Sequence, residues 1–255
     1  MSNIQKFAEI VDDAARFAKA IPQFTEQGPL SVEEAYQVQA ASLERRFARG
    51  EKLVGAKMGL TSRAKMIQVG VDKVIWGRLT DEMRLEEGAT LRKSKYVHPR
   101  VEPELAFLLK KDLSGDVSAA EAMAAVEAIA PAMEIIDSRY QNFKFALPDV
   151  IADNSSSSGF IIGNWHNPDQ DFSNLGIVLE INGRPVQIGS TAAILGHPVR
   201  SLVAAAKDAG VTLGGLKAGW IIMAGGATAA HPLSVGELAR VTIENLGSAS
   251  IRVEA

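Results

Sequence analysis

The sequence has no cysteine among its 255 residues. Disulfide bonds, thiolate metal sites and cysteine nucleophiles are therefore excluded. Histidine is scarce too, and the four that are present form no ligand pair at helical spacing, so we predict a structural role for each. The composition is compatible with a reducing compartment, and we expect the protein in the cytoplasm.

An excess of charge of either sign is also lacking. The chain carries 30 acidic and 27 basic residues, a net charge of -3, which gives no general attraction for nucleic acid or anionic membrane. No apolar run approaches the roughly 20 residues that span a bilayer, and the first residues predict an amphipathic helix instead of an apolar signal core. With 47% hydrophobic residues the chain can bury a full globular core.

The pattern of apolar residues changes along the chain. Residues recur at helical spacing from Ile4 to about Ala20, and Ser31 begins a capping box for a second helix that ends near Gly50. Beyond that point, short apolar segments between glycines and prolines predict strands. Residues 74–91 are predicted to form an acidic loop, and residues 118–129 a helix.

Two carboxylates stand two residues apart just before an apolar run. Glu102 and Glu104 would project from the same face of a strand, where two like charges need a cation between them or a bound proton. Glu134 lies inside another apolar segment, where a charge without a partner is expensive to bury. Three carboxylates on neighbouring strands make an oxygen-rich site suited to Mg²⁺ or Mn²⁺. The alternative is a solvated strand face, on which paired glutamates are common.

Other polar residues occur in unusual surroundings. Lys57 interrupts a small, apolar stretch and either extends to the surface or provides a fixed cation in a dry pocket. Thr61-Ser62 would cap a helix over residues 63–69 or line the same pocket. Four serines follow Asp153-Asn154, and their hydroxyls would either bind a substrate carboxylate or form an ordinary turn. The pair Gly225-Gly226 would let the backbone approach a ligand, without the spacing of a nucleotide-binding loop.

Several of these segments together resemble a known family. They are residues 55–62 (GAKMGLTS), 101–104 (VEPE), 134–140 (EIIDSRY), 152–157 (ADNSSS) and 225–230 (GGATAA). Their order resembles the hydratase/decarboxylase branch of the fumarylacetoacetate hydrolase superfamily, over a match from about residue 30 to the C-terminus. Within that branch, the residues of these motifs resemble the decarboxylases more than the hydratases.

The resemblance implies an α+β fold, a mixed β-sandwich roll with a small helical N-terminal part. We place the helical part at residues 1–75 and the β-roll catalytic domain at residues 76–255. The resemblance also implies that Glu102, Glu104 and Glu134 hold the Mg²⁺ or Mn²⁺. Pro103 departs from the small residue that the family often has between the first two acids. Because proline lacks an N–H, it requires an edge or a bulge there.

The activity that the resemblance implies is a metal-dependent decarboxylation in the meta-cleavage degradation of aromatic compounds. The substrate 2-oxohex-3-enedioate would give 2-hydroxypenta-2,4-dienoate and CO₂. The residues would act as follows: Lys57 would stabilise the dienolate; Ser156, Ser157 and Thr228 would position the diacid; Asp81 would come from a closing loop; and Asp137 and Arg139 would order the surroundings.

Two other functions stay open. A hydratase acting on 2-hydroxypenta-2,4-dienoate would use the same metal, but it must also protonate carbon and deliver water. A non-catalytic metal-binding assembly protein, docking through its helical part, is the third possibility. The resemblance further implies a complex with the hydratase of the same pathway, and we expect a homo-oligomer.

Overall fold

The computed structural model describes residues 3–62, 66 and 73–255. Its helices, in chain order, are α1 (Asn3–Arg16), α2 (Val32–Ala48), α3 (Ala119–Ala124), α4 (Leu147–Ala152) and α5 (Pro198–Ala205). The capping box predicted at Ser31 is present. The helix predicted over residues 63–69 lies outside the described residues except at Met66. No described helix is long and apolar enough to cross a membrane.

The strands form two sheets. In chain order they are β1 (Leu53–Gly59), β2 (Ile75–Thr80), β3 (Arg84–Leu85), β4 (Thr90–Arg92), β5 (Arg100–Leu109), β6 (Val126–Ile136), β7 (Ser157–Ile162), β8 (Gly176–Ile181), β9 (Arg184–Ser190), β10 (Ile221–Met223), β11 (His231–Pro232), β12 (Leu238–Ile243) and β13 (Gly247–Glu254). The larger sheet runs β2-β1-β10-β5-β6-β7-β3, with β11 paired to β5, and the smaller runs β4-β13-β12-β8-β9. Both sheets mix parallel and antiparallel pairs, so the α+β expectation holds.

The core between the two sheets fixes where the acids point. Phe107 and Ile135 of the larger sheet pack with Ile177 and Val241 of the smaller sheet. Because side chains alternate across a strand, Glu102, Glu104 and Glu134 project from the opposite face of the larger sheet. The acids are thus placed on the face that the smaller sheet does not cover.

Two local predictions were wrong. Residues 75–80, predicted as loop, form β2, and all six are buried because β2 pairs with β1 and lies against α2 and the turn at residues 154–156. The helix predicted over residues 118–129 ends at Ala124, and β6 begins at Val126. There the ladder with β5 overrides the helix propensity of the alanines.

The helical part is joined closely to the sheet. Asp12 of α1 is fully buried and accepts hydrogen bonds from Arg45 of α2 and from Arg49, which directly follows α2. Gln39 of α2 donates to the carbonyl oxygen of Trp76 in β2. Strand β1 lies within residues 1–75 yet pairs between β2 and β10. The boundary at residue 75 stays a prediction, and this pairing favours a boundary nearer residue 50.

Pro103 sits in a regular ladder without a bulge at its position. It pairs with Met133 of β6, and the irregularity in this ladder lies between Leu108 and Leu109. On its other side, β10 ends at Met223, and the Pro103 carbonyl accepts a hydrogen bond from the N–H of Ala227 in the following loop. Strand β5 is therefore locally an edge at Pro103, which explains how the missing N–H is tolerated.

Candidate active site

Three carboxylates meet on the face of β5 and β6 that points away from the smaller sheet. Glu102 lies directly opposite Glu134 in the ladder, and Glu104 follows two positions along the same face. One oxygen atom from each residue lies within 4.8 Å of the others. Glu104 and Glu134 are fully buried, and Glu102 is 9% exposed. The strand spacing that the sequence suggested therefore brings the three acids together.

Each fully buried acid has one oxygen atom with a partner and one without. Glu104 Oε2 accepts the Gly225 N–H at 2.7 Å, and Glu134 Oε2 accepts a hydrogen bond from Lys57 Nζ at 3.1 Å. Their Oε1 atoms have no hydrogen-bond partner in the described part of the chain. Buried carboxylate oxygens rarely stay unpaired, and hard oxygen atoms in this arrangement fit a divalent cation.

Burial makes the charges of this cluster unfavourable without a cation. It raises the pKa of Glu104 well above the usual value, and the carboxylates of Glu134 and Glu102 raise this pKa further. Burial also raises the pKa of Glu134, against the lowering effect of Lys57. A divalent cation would reverse this balance, because it favours the ionised form of every carboxylate around it.

Lys57 is held inside the protein and does not extend to the surface. Strand β1 places it between Gly77 of β2 and Met223 of β10, and only 3% of the residue is exposed. Its ammonium group forms an ion pair with Glu134. Of the two interpretations of Lys57, the fixed cation in a dry site is the one that this burial supports.

The serine segment forms a tight, strained turn. Asn154, Ser155 and Ser156 all have left-handed backbone angles, with φ of 49°, 52° and 61°. Such conformations cost non-glycine residues about 1 kcal/mol or more each, so the surroundings must impose them. The Asn154 side chain accepts from the Arg78 N–H and donates to the Arg78 carbonyl, and the Ser155 hydroxyl donates to the Trp76 carbonyl.

Two hydroxyls of this turn are buried and available to bind a ligand. Ser156 Oγ and Ser157 Oγ have no hydrogen-bond partner among the described residues. Ser157 lies close enough to Glu134 to favour its ionised form and so to lower its pKa. The turn therefore presents two buried hydroxyls, of which that of Ser157 lies near Glu134.

The loop after β10 forms the opposite wall. A side chain at Gly225 would place its Cβ 2.2 Å from Thr61 Oγ1, and the φ of Gly225 is 104°. Only glycine brings the N–H close enough to bind Glu104 in this conformation. Thr61 thus packs at the site, while Thr228, in the same loop, is half-buried and donates to the carbonyl of Ala229.

Asp81 is not brought to the acids. It directly follows Thr80, which ends β2 and pairs with Leu53 at the start of β1, and it is exposed. Its Oδ1 accepts hydrogen bonds from the N–H groups of Lys52 and Glu82. These bonds give Asp81 a structural role at the start of a 3₁₀ turn, and no described contact supports the predicted role in substrate binding.

Asp137 and Arg139 lie behind the site. Asp137 accepts from the N–H groups of Val97 and His98, on the segment that leads into β5. Arg139 forms an ion pair with Asp153 beside the serine turn. Asp153 and Asn154, which anchor that turn, were not predicted as functional residues from the sequence. Their position directly after the apolar residues 150–152 was the available signal.

The structure also contains a cavity of about 1270 Å³ that none of the three acids line. It lies between α2, β2 and the chain at residues 207–212, around the stacked rings of Tyr36 and Trp76. Trp76 and Arg78 of β2 line it. Because side chains alternate along β2, this cavity lies on the side of the strand away from Gly77 and Lys57.

Known proteins are similar to this chain in sequence. The family model for the fumarylacetoacetate (FAA) hydrolase C-terminal region matches residues 60–254. A 4-oxalocrotonate decarboxylase of Pseudomonas sp. is 55% identical over 97% of this chain and 96% of its own length. A 2-hydroxyhexa-2,4-dienoate hydratase of Comamonas testosteroni is 35% identical over 94% of this chain and 93% of its own.

Solved structures agree with the sequence relatives. The 4-oxalocrotonate decarboxylase from Pseudomonas putida G7, complexed with magnesium and adipate, is 39% identical, with a TM-score of 0.94 over 98% of this chain and 97% of that one. The same enzyme complexed with calcium and acetate gives a TM-score of 0.92 at 38% identity, over 98% of this chain and 96% of that one. The resemblance in motifs and the expected fold are confirmed: the chain belongs to the fumarylacetoacetate hydrolase family.

Proposed function

We propose that this protein is a metal-dependent decarboxylase that converts 2-oxohex-3-enedioate to 2-hydroxypenta-2,4-dienoate and CO₂. The observation that carries the proposal is the cluster of Glu102, Glu104 and Glu134, with two unpaired buried oxygen atoms beside Lys57. The chain is 55% identical, almost end to end, to a protein described as 4-oxalocrotonate decarboxylase.

The three glutamates are the residues that would hold a divalent cation, Mg²⁺ or Mn²⁺. Their donor set consists of hard carboxylate oxygens, which both ions prefer. When bound, the cation supplies a Lewis acid for the α-keto acid end of the substrate. The solved relative complexed with magnesium and adipate, a six-carbon diacid, is consistent with a metal and a dicarboxylate in one site.

The reaction separates a carboxylate from a conjugated keto acid. The bond between C5 and the distal carboxylate breaks, CO₂ leaves, and the electron pair moves through the carbon chain to the C2 keto oxygen. The dienolate oxygen then takes up one proton to give the product. The positive charge of Lys57, held in a dry site, would stabilise the negative charge that develops on the dienolate.

The serine turn and the loop after β10 would position the diacid. The free hydroxyls of Ser156 and Ser157 can donate to a carboxylate, and Thr228 would contribute a third hydroxyl from the facing loop. The mechanism proposed here gives Asp81 no contact with the diacid, because Asp81 Oδ1 accepts hydrogen bonds from the N–H groups of Lys52 and Glu82.

Hydration of 2-hydroxypenta-2,4-dienoate is the alternative function. A hydratase of Comamonas testosteroni is 35% identical over 94% of this chain. The same three acids would serve either reaction, but a hydratase also needs an acid and a base that deliver water and a proton to carbon. A purely structural metal-binding role fits less well, because it gives Lys57 and the free serine hydroxyls no purpose.

We extend the proposal to a cytoplasmic location, a homo-oligomer and a complex with the pathway hydratase that consumes the dienoate. Size-exclusion chromatography of the two proteins after co-expression tests the complex. Joint elution is expected, and separate elution contradicts a stable assembly.

A side-by-side assay tests the function itself. The purified protein is stripped of metal, restored with Mg²⁺ or Mn²⁺, and supplied separately with 2-oxohex-3-enedioate and with 2-hydroxypenta-2,4-dienoate. We expect metal-dependent CO₂ release from the diacid. Consumption of the dienoate without CO₂ would establish the hydratase, and no turnover of either compound would reject both enzymatic functions.

A further inference from the structure

One buried guanidinium forms hydrogen bonds with the residue at the start of the serine turn. Arg139 is 2% exposed, and its Nε donates to Asp153 Oδ1 at 2.5 Å. Its Nη2 donates to the Asp153 carbonyl at 2.9 Å, and its backbone N–H donates to Asp153 Oδ2 at 2.9 Å. Both the side chain and the backbone of Asp153 are therefore fixed to one residue.

The same guanidinium also reaches the far end of the turn. Arg139 Nη1 donates to the hydroxyl of Ser158, which in turn donates to the Ser156 carbonyl at 3.3 Å. That carbonyl also accepts the Asp137 N–H at 2.8 Å. The Ser156 N–H donates to the Asp153 carbonyl, so the guanidinium contacts both sides of residues 154–157.

The turn needs such an external clamp. Asn154, Ser155 and Ser156 are held in left-handed conformations that non-glycine residues avoid. The bonds of Asn154 and Ser155 to β2 fix the outer edge of the turn, but Ser156 and Ser157 make no hydrogen bond through their own hydroxyls within the described residues. The placement of those two hydroxyls therefore depends on the backbone that Arg139 holds.

Arg139 acts from a distance and does not touch the acids. It lines a polar cavity of about 420 Å³ with Arg46 and Tyr96, and none of the three glutamates lines that cavity. We propose that Arg139 is a positioning residue that fixes the serine turn, so that Ser156 and Ser157 meet one carboxylate of the diacid. This inference rests on the proposed function, in which those serines bind the substrate.

Arg139→Lys tests the clamp. Lysine keeps the charge and one contact to Asp153, but it cannot contact both ends of the turn. With Mg²⁺ present, adipate serves as a non-reacting diacid probe in calorimetric titrations. We expect adipate affinity to fall about tenfold or more and the KM for the diacid to rise, with kcat and Mg²⁺ affinity changed little, because bound and reacting substrate lose the same contacts.

Two further variants separate positioning from general damage. Ser158→Ala removes only the far end of the clamp and should give a smaller loss in the same direction. In a Ser156→Ala, Ser157→Ala background, Arg139→Lys should cause no additional loss of adipate affinity, since the hydroxyls it positions are gone. Arg45→Lys is the matched control, because Arg45 also pairs with a buried aspartate, Asp12, but does not line the cavity that Arg139 and Ser158 line. It should leave adipate affinity and KM unchanged.

The outcomes distinguish the two proposals. If the native protein releases CO₂ and binds adipate but Arg139→Lys keeps full adipate affinity, the clamp is rejected and the function stands. Losses that add fully in the serine-free background would likewise reject the clamp, because they would show that Arg139 acts on the fold at large. If the native protein neither binds adipate nor releases CO₂, the proposed function and its positioning residue are rejected together.

Discussion

At the residue scale, the site depends on groups whose burial conflicts with their charge. Glu104 and Glu134 are fully buried on one face of two paired strands, and one oxygen atom of each has no partner in the described part of the chain. The sequence predicted this placement for two reasons. Acids two residues apart point to the same face of a strand, and an acid among apolar residues needs a partner when it is buried. It could not predict that Lys57 would pair with Glu134, since 77 positions separate them and only the sheet order joins them.

Metal affinity should depend on pH through these acids. Burial and neighbouring carboxylates raise the pKa of Glu104, so a divalent cation, which needs the ionised carboxylate, competes with a proton on this group. Mg²⁺ affinity should therefore rise with pH, by up to about tenfold per pH unit for each proton displaced. Calorimetric titration between about pH 6 and 8, in buffers of different ionisation enthalpy, measures both the affinity and the proton release.

Variants identify the group that releases the proton. Glu104→Gln should lose the proton release, most of the metal affinity and metal-dependent turnover, while the fold is kept. Glu127→Gln, on the same strand β6 but exposed, should change none of these. An affinity of the native protein that does not vary with pH would contradict the raised pKa.

Lys57 should contribute to turnover without contributing to metal binding. In Lys57→Met, an apolar chain of similar length replaces the buried cation, so Glu134 loses its ion pair and the site loses a charge that repels the metal. We expect Mg²⁺ affinity to be retained and turnover to fall by about 10²–10³-fold, the usual loss when a preorganised electrostatic group is removed. Lys217→Met, which removes an exposed pair with Asp112, is the control. Turnover within a few-fold of the native rate would remove Lys57 from the mechanism.

At the element scale, the sequence predicted isolated features better than their boundaries. The capping box at Ser31 is where local chemistry placed it. The end of α3 and the start of β6 were misplaced, because alanine-rich residues accept either state and the ladder with β5 decides. The contacts between loops at the site were harder still to predict, since the contact of Gly225 with Thr61 joins segments distant in the chain.

The close approach of the loop after β10 to Thr61 gives a test of the site's wall. In Gly225→Ala, the new Cβ would overlap Thr61 Oγ1, and the N–H would move away from Glu104. We expect a loss of about 1–3 kcal/mol of stability, as strained or overpacked positions typically show, together with weaker Mg²⁺ binding. Denaturant unfolding and metal titration measure the two effects.

A matched control separates backbone strain from the clash. Gly50 has a φ of 105°, nearly that of Gly225 at 104°, but a Cβ added at Gly50 would have no atom within 4 Å. Gly50→Ala should therefore lose stability from the backbone alone and keep its metal affinity. Equal effects of the two substitutions on Mg²⁺ binding would show that the contact with Thr61 does not position the Glu104 anchor.

At the scale of the whole molecule, the helical part and the larger sheet share one core. Ala8, Val11 and Val38 of the helices pack in the same cluster as Ile75 of β2 and Tyr140, which follows β6. The change in apolar period near Gly50 predicted helices followed by strands, and the family resemblance implied that the strands form a β-roll. It did not show how closely the two parts are joined, since buried Asp12 and Gln39 carry no periodic signal of their contacts.

This shared core predicts that the chain unfolds as one unit. Separating the helices from the sheet would expose the apolar residues of the cluster and leave the backbone groups that Gln39 satisfies without partners. Calorimetry should therefore show a single unfolding transition. Mg²⁺ should raise the midpoint temperature of that transition, because the ion binds only the folded site. Asp12→Asn weakens the ion pairs that join α1 to Arg45 and Arg49. It should therefore lower the midpoint temperature of the transition without dividing it into two. Two transitions, of which only the higher one responds to Mg²⁺, would instead show that residues 1–50 fold as a separate unit.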